Sequence, residues 1–153
     1  MPRRSTISSR EYQARAEFRY QIRRFLRLSE QEARAAGLEP QQHQMLVALK
    51  GLPQGSQPTI GELANRMLIQ HHSAVELVDR LAQRGMVKRA RRGPDRRRVY
   101  LTLTPKGEKV LARLSLRLRG ELQSAGRALL RALEPLLRPS GNGRRRSPAR
   151  RRV

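Results

Sequence analysis

The chain has 153 residues, enough for one domain with a modest core but short of two. Its 34 Lys and Arg against 12 Asp and Glu leave a formal net charge of +22, which points to a polyanionic partner, nucleic acid first. Cysteine is absent, which excludes disulfides, thiolate metal sites and thiol redox sensing, and no apolar run approaches the roughly 20 residues of a membrane helix.

Residues 1–8 carry arginines with no apolar segment after them, so a secretory signal is not expected and the chain reads as cytoplasmic with a flexible N-terminus. Ser8 or Ser9 is placed to cap a long first helix running to about Ala36, where Gly37 ends it. Phe18, Ile22, Phe25, Ser29 and Ala33 mark its apolar stripe, widened by Leu26. Pro40 suits the first position of a second helix with Met45, Leu46, Leu49 and Leu52 as its apolar face, although Glu39 before it is a weak cap. His43 is expected to decorate that helix, and Pro53 to Pro58 to form a polar loop.

From Thr59 to Gly107 the pattern is denser. Thr59 can cap a short helix while the Glu62 side chain reaches back to the cap residue's N–H, with Ile60, Leu63, Ala64 and Met67 on one face. A second short helix follows almost at once, its Val75, Leu77, Val78 and Leu81 repeating at helical spacing until Gly85. Two short helices joined by a few residues read as a helix-turn-helix. The period then becomes alternating: Met86 to Ala90 and Val99 to Leu103 read as strands around RRGPDRRR, with Gly93-Pro94-Asp95 as the turn. Thr104 caps a last helix with Pro105 at its first position. Leu111, Leu114, Leu118, Leu122, Ala125, Leu129, Leu133 and Leu136 form its continuous stripe, longer than one short domain can cover, so a partner helix is expected. Gly120 and Gly126 either weaken this helix or allow close approach, and Pro135 kinks or ends it. Residues 139–153 combine turn formers with arginines and read as a disordered basic tail able to clamp phosphates.

The fold class is therefore mainly α with a small β-hairpin wing. In such motifs the N-terminal turn of the second helix enters the major groove. Gln70, His71, His72, Ser73 and Glu76 are the candidates there for bases or nearby phosphates, with Val75 for a thymine methyl and Arg80 for phosphate. In the wing, Lys88, Arg89, Arg91, Arg92, Arg96, Arg97 and Arg98 surround one acid, Asp95, and an arginine on a hairpin tip suits a narrow minor groove. A metal site at His71-His72 is disfavoured because adjacent helical residues diverge by about 100°.

Three blocks, LVDRLAQRGMV (Leu77 to Val87), Asp95-Arg96-Arg97 and LTLTPKGEKVL (Leu101 to Leu111), resemble the MarR family of bacterial transcription regulators in order and spacing. The resemblance covers about Phe18 to Leu137. It implies a winged helix-turn-helix domain over 9–138, with a DNA-binding core at 40–104 and dimerisation helices at 9–36 and 105–138. It also implies that Arg97 approaches the minor groove while Asp95 holds the wing's shape. Glu76 departs from the pattern, standing where relatives often have arginine or a small polar residue; near phosphates it must accept from cytosine, pair with a neighbouring arginine or point away. The function implied is a homodimeric, sequence-specific regulator of double-stranded DNA, usually a repressor. Release by a small aromatic or phenolic ligand is part of the family pattern, and no cofactor is called for. The alternative is a non-specific, charge-driven nucleic-acid organiser. An enzyme is not expected: no phosphate-binding glycine loop and no clustered His and carboxylate set is present.

Overall fold

The computed structural model describes residues 7–91 and 98–137. Its elements in chain order are α1 (Ser9–Ala35), α2 (Pro40–Lys50), α3 (Ile60–Met67), α4 (His71–Gln83), β1 (Val87–Arg91), β2 (Val99–Leu103) and α5 (Pro105–Leu137). The wing turn with Arg92, Asp95, Arg96 and Arg97, and the tail 139–153, lie outside the described residues.

Each boundary has a local cause. Ser8 Oγ accepts the Glu11 N–H at 3.2 Å and opens α1. At its far end Gly37 takes φ +76 and the Leu38 N–H returns to the Ala33 carbonyl at 2.9 Å. The weak cap at Glu39 is made good by its neighbour, because Gln42 Oε1 accepts the Glu39 N–H at 3.2 Å and α2 starts at Pro40 as expected. At α3 only half of the anticipated reciprocal cap forms. Thr59 Oγ1 accepts the Glu62 N–H at 3.2 Å. The Thr59 N–H, however, donates to the Gln57 carbonyl at 2.8 Å, and the Glu62 carboxylate takes Arg66 at 2.8 Å instead. The turn into α4 is made by Leu68 in the left-handed region, φ 55 and ψ 40, with the Ile69 N–H closing on the Ala64 carbonyl at 3.1 Å. Gly85, at φ +68, stops α4.

β1 and β2 pair antiparallel with Val87 opposite Leu103 and Arg91 opposite Val99, one residue later on β1 than the sequence pattern places it. The loop before α3 joins the hairpin: Leu101 N–H donates to the Pro58 carbonyl at 2.8 Å and Thr59 bridges to Tyr100. Thr104 works in two directions, its Oγ1 accepting the Gly107 N–H at 3.0 Å and donating to the Gly85 carbonyl at 2.6 Å. Gly107 lies so close to the hairpin that a Cβ there would sit 2.1 Å from the Met86 carbonyl oxygen. The first turn of α5 is thereby seated on the α4–β1 junction.

The core gathers Leu38, Met45, Leu46, Leu63, Val78, Leu81, Leu101 and Leu114, so every element from the end of α1 to the first half of α5 contributes. Its burial is what fixes the two short helices, since eight residues of α3 would not hold helical form alone. His43 does not decorate α2: it is 5% exposed, because α2 is packed on several sides rather than one. Burial pushes its imidazole pKa below the ordinary 6.5.

α1 runs along α5, joined near its C-terminal end by Arg117 and Glu32 at 3.7 Å. The α5 stripe is only partly covered. Leu111, Leu114, Leu118 and Ala132 are buried, whereas Leu122, expected in the stripe, is exposed together with Leu130 and Leu137, as is Leu26 on α1. Pro135 does not end α5, which continues to Leu137. Gly120 and Gly126 make no close approach, since a Cβ at either position meets nothing within 4 Å.

A candidate nucleic-acid interface

The N-terminal turn of α4 is held out from the body by its own apolar face. Ala74, Leu77, Val78 and Leu81 are buried, which turns Gln70, His71, His72, Glu76 and Arg80 to the outside and leaves Ser73 half-buried. Gln70 is the N-cap residue, in extended backbone, and its side chain makes no capping bond. No acid sits in the first turn. The uncapped N–H groups and the helix dipole therefore give this end a positive potential that favours anions.

Val75 is placed differently from its exposed neighbours. It packs against the core as a half-buried residue and lines a groove of about 400 Å³ with Thr59, Ile60, Gly61, His71, Arg89, Arg98 and Val99. The groove brings the starts of α3 and α4 against the two hairpin strands. Glu76 takes one of the three arrangements open to it, lying against Arg80 at 3.5 Å across one helical turn. The pair is exposed on both sides, so solvent screens it and it adds little stability.

Among the arginines of the hairpin the structure separates structural from outward-facing ones. Arg89 Nη2 lies 2.6 Å from Asp79 Oδ1 and donates to the Val75 carbonyl at 3.3 Å, tying β1 to α4. Arg98 donates to Gln57 Oε1 at 3.1 Å, and the Tyr100 hydroxyl donates to the same oxygen at 3.2 Å. Lys88 and Arg91 remain exposed. Sequence reasoning missed Asp79 and Gln57. Asp79 lies ten places before Arg89 on a different element, and no periodicity links them. Gln57 sits in a loop whose partner strand is more than 40 residues away.

Arg84 ties the rear of the motif together. Its guanidinium donates to Gln42 Oε1 at 2.8 Å and to the Gly37 carbonyl at 2.7 Å, while its own carbonyl accepts Lys106 Nζ at 2.8 Å. The end of α4 is thus tied at once to the α1–α2 connection, to α2 and to α5.

Residues 36–98 match the MarR family model. YsmB of Bacillus subtilis, an uncharacterized HTH-type transcriptional regulator, is 34% identical over 65 residues, which are 42% of this chain and 44% of that protein. The match therefore spans less than half the length of that relative. Among solved structures, AbsC, a MarR family transcriptional regulator from Streptomyces coelicolor, superposes with a TM-score of 0.62 at 19% identity over 88% of this chain and 85% of its own. A mutant of MarR from E. coli, complexed with operator DNA, gives 0.64 at 21% identity over 78% of this chain and 86% of its own. Residues 36–98 thus carry the sequence of the MarR family, and the described chain has that family's winged helix-turn-helix fold.

Proposed function

We propose that this protein is a transcription regulator that binds a specific duplex-DNA sequence as a homodimer and acts as a repressor. The observation that carries the reading is the outward turn of α4. Gln70, His71 and His72 stand exposed on a helix end free of acids, held rigid by Leu77, Val78 and Leu81, beside an arginine-bearing hairpin tied to the same helix by Arg89 and Asp79. Major-groove reading falls to Gln70, His71, His72, Ser73 and Glu76, with Val75 reduced to its exposed edge and Arg80 on phosphate. Arg97 of the wing turn anchors the minor groove while Asp95 holds the turn's shape, and Arg91, Arg92, Arg96 and Arg98 serve flanking phosphates. That the E. coli MarR structure of like fold holds operator DNA supports the same use here.

The dimer would form through 9–36 and 105–138. Its support is the uncovered apolar edge of α5, where Leu122, Leu130 and Leu137 stand exposed on the side that carries the open Gly126. Release by a small aromatic or phenolic ligand rests on the resemblance to the MarR family. The bulk of the charge alone would serve a non-specific DNA-coating role, and one experiment separates the two. Gln70→Ala or His71→Ala should weaken binding to a selected site by roughly 10–100-fold while leaving random duplex unchanged. Equal effects on both DNAs would leave only the charge-driven role.

A further inference from the structure

The outer face of α1 carries charge that the winged helix-turn-helix does not use. Arg19, Arg23 and Arg27 recur at intervals of four and are all exposed, with the exposed Tyr12 and Tyr20 on the same arc of the helix. Arg19 and Arg23 stand on the side of α1 opposite the half-buried Phe18 and Phe25, while Arg27 at the edge of the arc also borders a groove that Phe25 shares with Glu121 of α5. Elsewhere on α1, Arg15 is matched by Glu11 at 2.7 Å and Arg34 by Glu30 at 3.8 Å. Among the described residues Arg19, Arg23 and Arg27 have neither hydrogen bond nor ion pair. Like charges four apart repel and weaken a helix, so this row acts against α1 unless something neutralises it.

The row also stands apart from α4. α1 meets the winged part only near its C-terminal end, at Ala33, and otherwise packs along α5. At 1.5 Å per residue Arg19 lies about 21 Å along the axis from Ala33, and Arg19 to Arg27 spans about 12 Å, a length over which one DNA strand presents three or four phosphates. A membrane surface fits this face poorly, because a helix lying on lipid needs its apolar stripe free and that of α1 is turned inward on α5.

We propose that the row Arg19, Arg23 and Arg27, flanked by Tyr12 and Tyr20, is a second duplex-binding surface that holds a DNA segment separate from the one at α4. The inference rests on the reading of α4 as the first DNA surface. Arginine guanidinia engage backbone phosphates and the tyrosine hydroxyls donate to the same oxygens, so the contact is indifferent to sequence. One protein molecule then links two duplex segments, the first chosen by sequence and the second by proximity.

The test uses the full chain bound to an immobilised duplex that carries a selected site, then challenged with a labelled second duplex. Wild type should capture the second duplex. The triple variant Arg19→Gln/Arg23→Gln/Arg27→Gln should capture it at least about tenfold less, with the salt slope of that step lower by about 2.7, and keep its grip on the first duplex. Arg19→Lys/Arg23→Lys/Arg27→Lys keeps the charge and should keep capture, so equal loss in both triples overturns the proposal. Undiminished capture by the glutamine triple also overturns it, as does capture that vanishes only when residues 139–153 are removed. Phosphatidylserine vesicles form a further arm. If the glutamine triple loses vesicle binding and retains duplex capture, the partner is a membrane and the proposal falls. Failure of the α4 reading appears elsewhere, as unchanged site preference in Gln70→Ala, and is told apart from failure of this one.

Discussion

Arg89 and Asp79 meet at 2.6 Å across the junction of β1 and α4, and the same guanidinium takes the Val75 carbonyl one turn before Asp79. Both side chains are partly exposed, so the pair itself adds at most about 1 kcal/mol of stability. Its larger consequence is geometric, since it sets the angle between hairpin and helix. Asp79→Asn separates charge from position. By charge alone, removing a carboxylate near phosphates tightens DNA binding; by position, losing the clamp weakens it. A weakening of about fivefold or more, read by fluorescence anisotropy with the melting temperature little changed, is expected. Tighter binding would show that the pair does not set the angle.

Gly107→Ala places a Cβ 2.1 Å from the Met86 carbonyl oxygen, 3.0 Å from its carbonyl carbon and 3.3 Å from its Cα. These are backbone atoms held by the hairpin, so α5 must shift. A loss of about 3 kcal/mol is expected, lowering the thermal midpoint by roughly 10 °C in calorimetry. A change under about 2 °C would mean that the α5 start is not pinned to the α4–β1 junction.

Leu68 is 92% exposed and occupies the left-handed region at φ 55. An L residue with a Cβ incurs about 1 kcal/mol there, part of which glycine would return through its greater freedom when unfolded. Leu68→Gly should therefore raise stability by about 0.5 kcal/mol in urea titration, while Leu68→Pro should unfold the turn. A destabilised glycine variant would reveal a packing role for this side chain.

His43 links stability to pH. Burial lowers its folded pKa below the 6.5 of an ordinary histidine, so between those two values the unfolded chain binds more protons than the folded one. Its contribution is complete above pH 6.5 and is lost as the pH falls toward the depressed folded value. Denaturant titrations of wild type should show stability falling between pH 7 and 5, with a shallower fall in His43→Gln. Parallel curves for the two proteins would remove His43 as the cause.

How much of this was legible beforehand depends on the range of the interaction. Ser8, Thr59, Gly85 and Thr104-Pro105 mark helix ends through bonds that close within five residues, and each boundary was read correctly from local rules. The exposed turn of α4 followed from the spacing of Leu77, Val78 and Leu81. His43 differs from its expected place because its surroundings are set by how helices pack against each other, which periodicity along one helix does not carry. Arg89 looked like any other arginine of the hairpin until Asp79 was brought beside it. The return half of the Thr59 cap failed because Gln57 and Arg66 were nearer partners. Arg92, Asp95, Arg96 and Arg97 rest on the sequence pattern alone.

The central proposal is that α4 selects a DNA sequence and that charge supplies only the background. Selection of bound duplexes from a random pool tests it most directly, at about 150 mM salt with excess non-specific competitor, where screening trims the purely electrostatic contribution. An enriched inverted repeat with half-sites about one helical turn apart is expected for a dimer presenting two copies of α4. A pool that emerges without enrichment, from a protein that binds tightly at low salt, would contradict it.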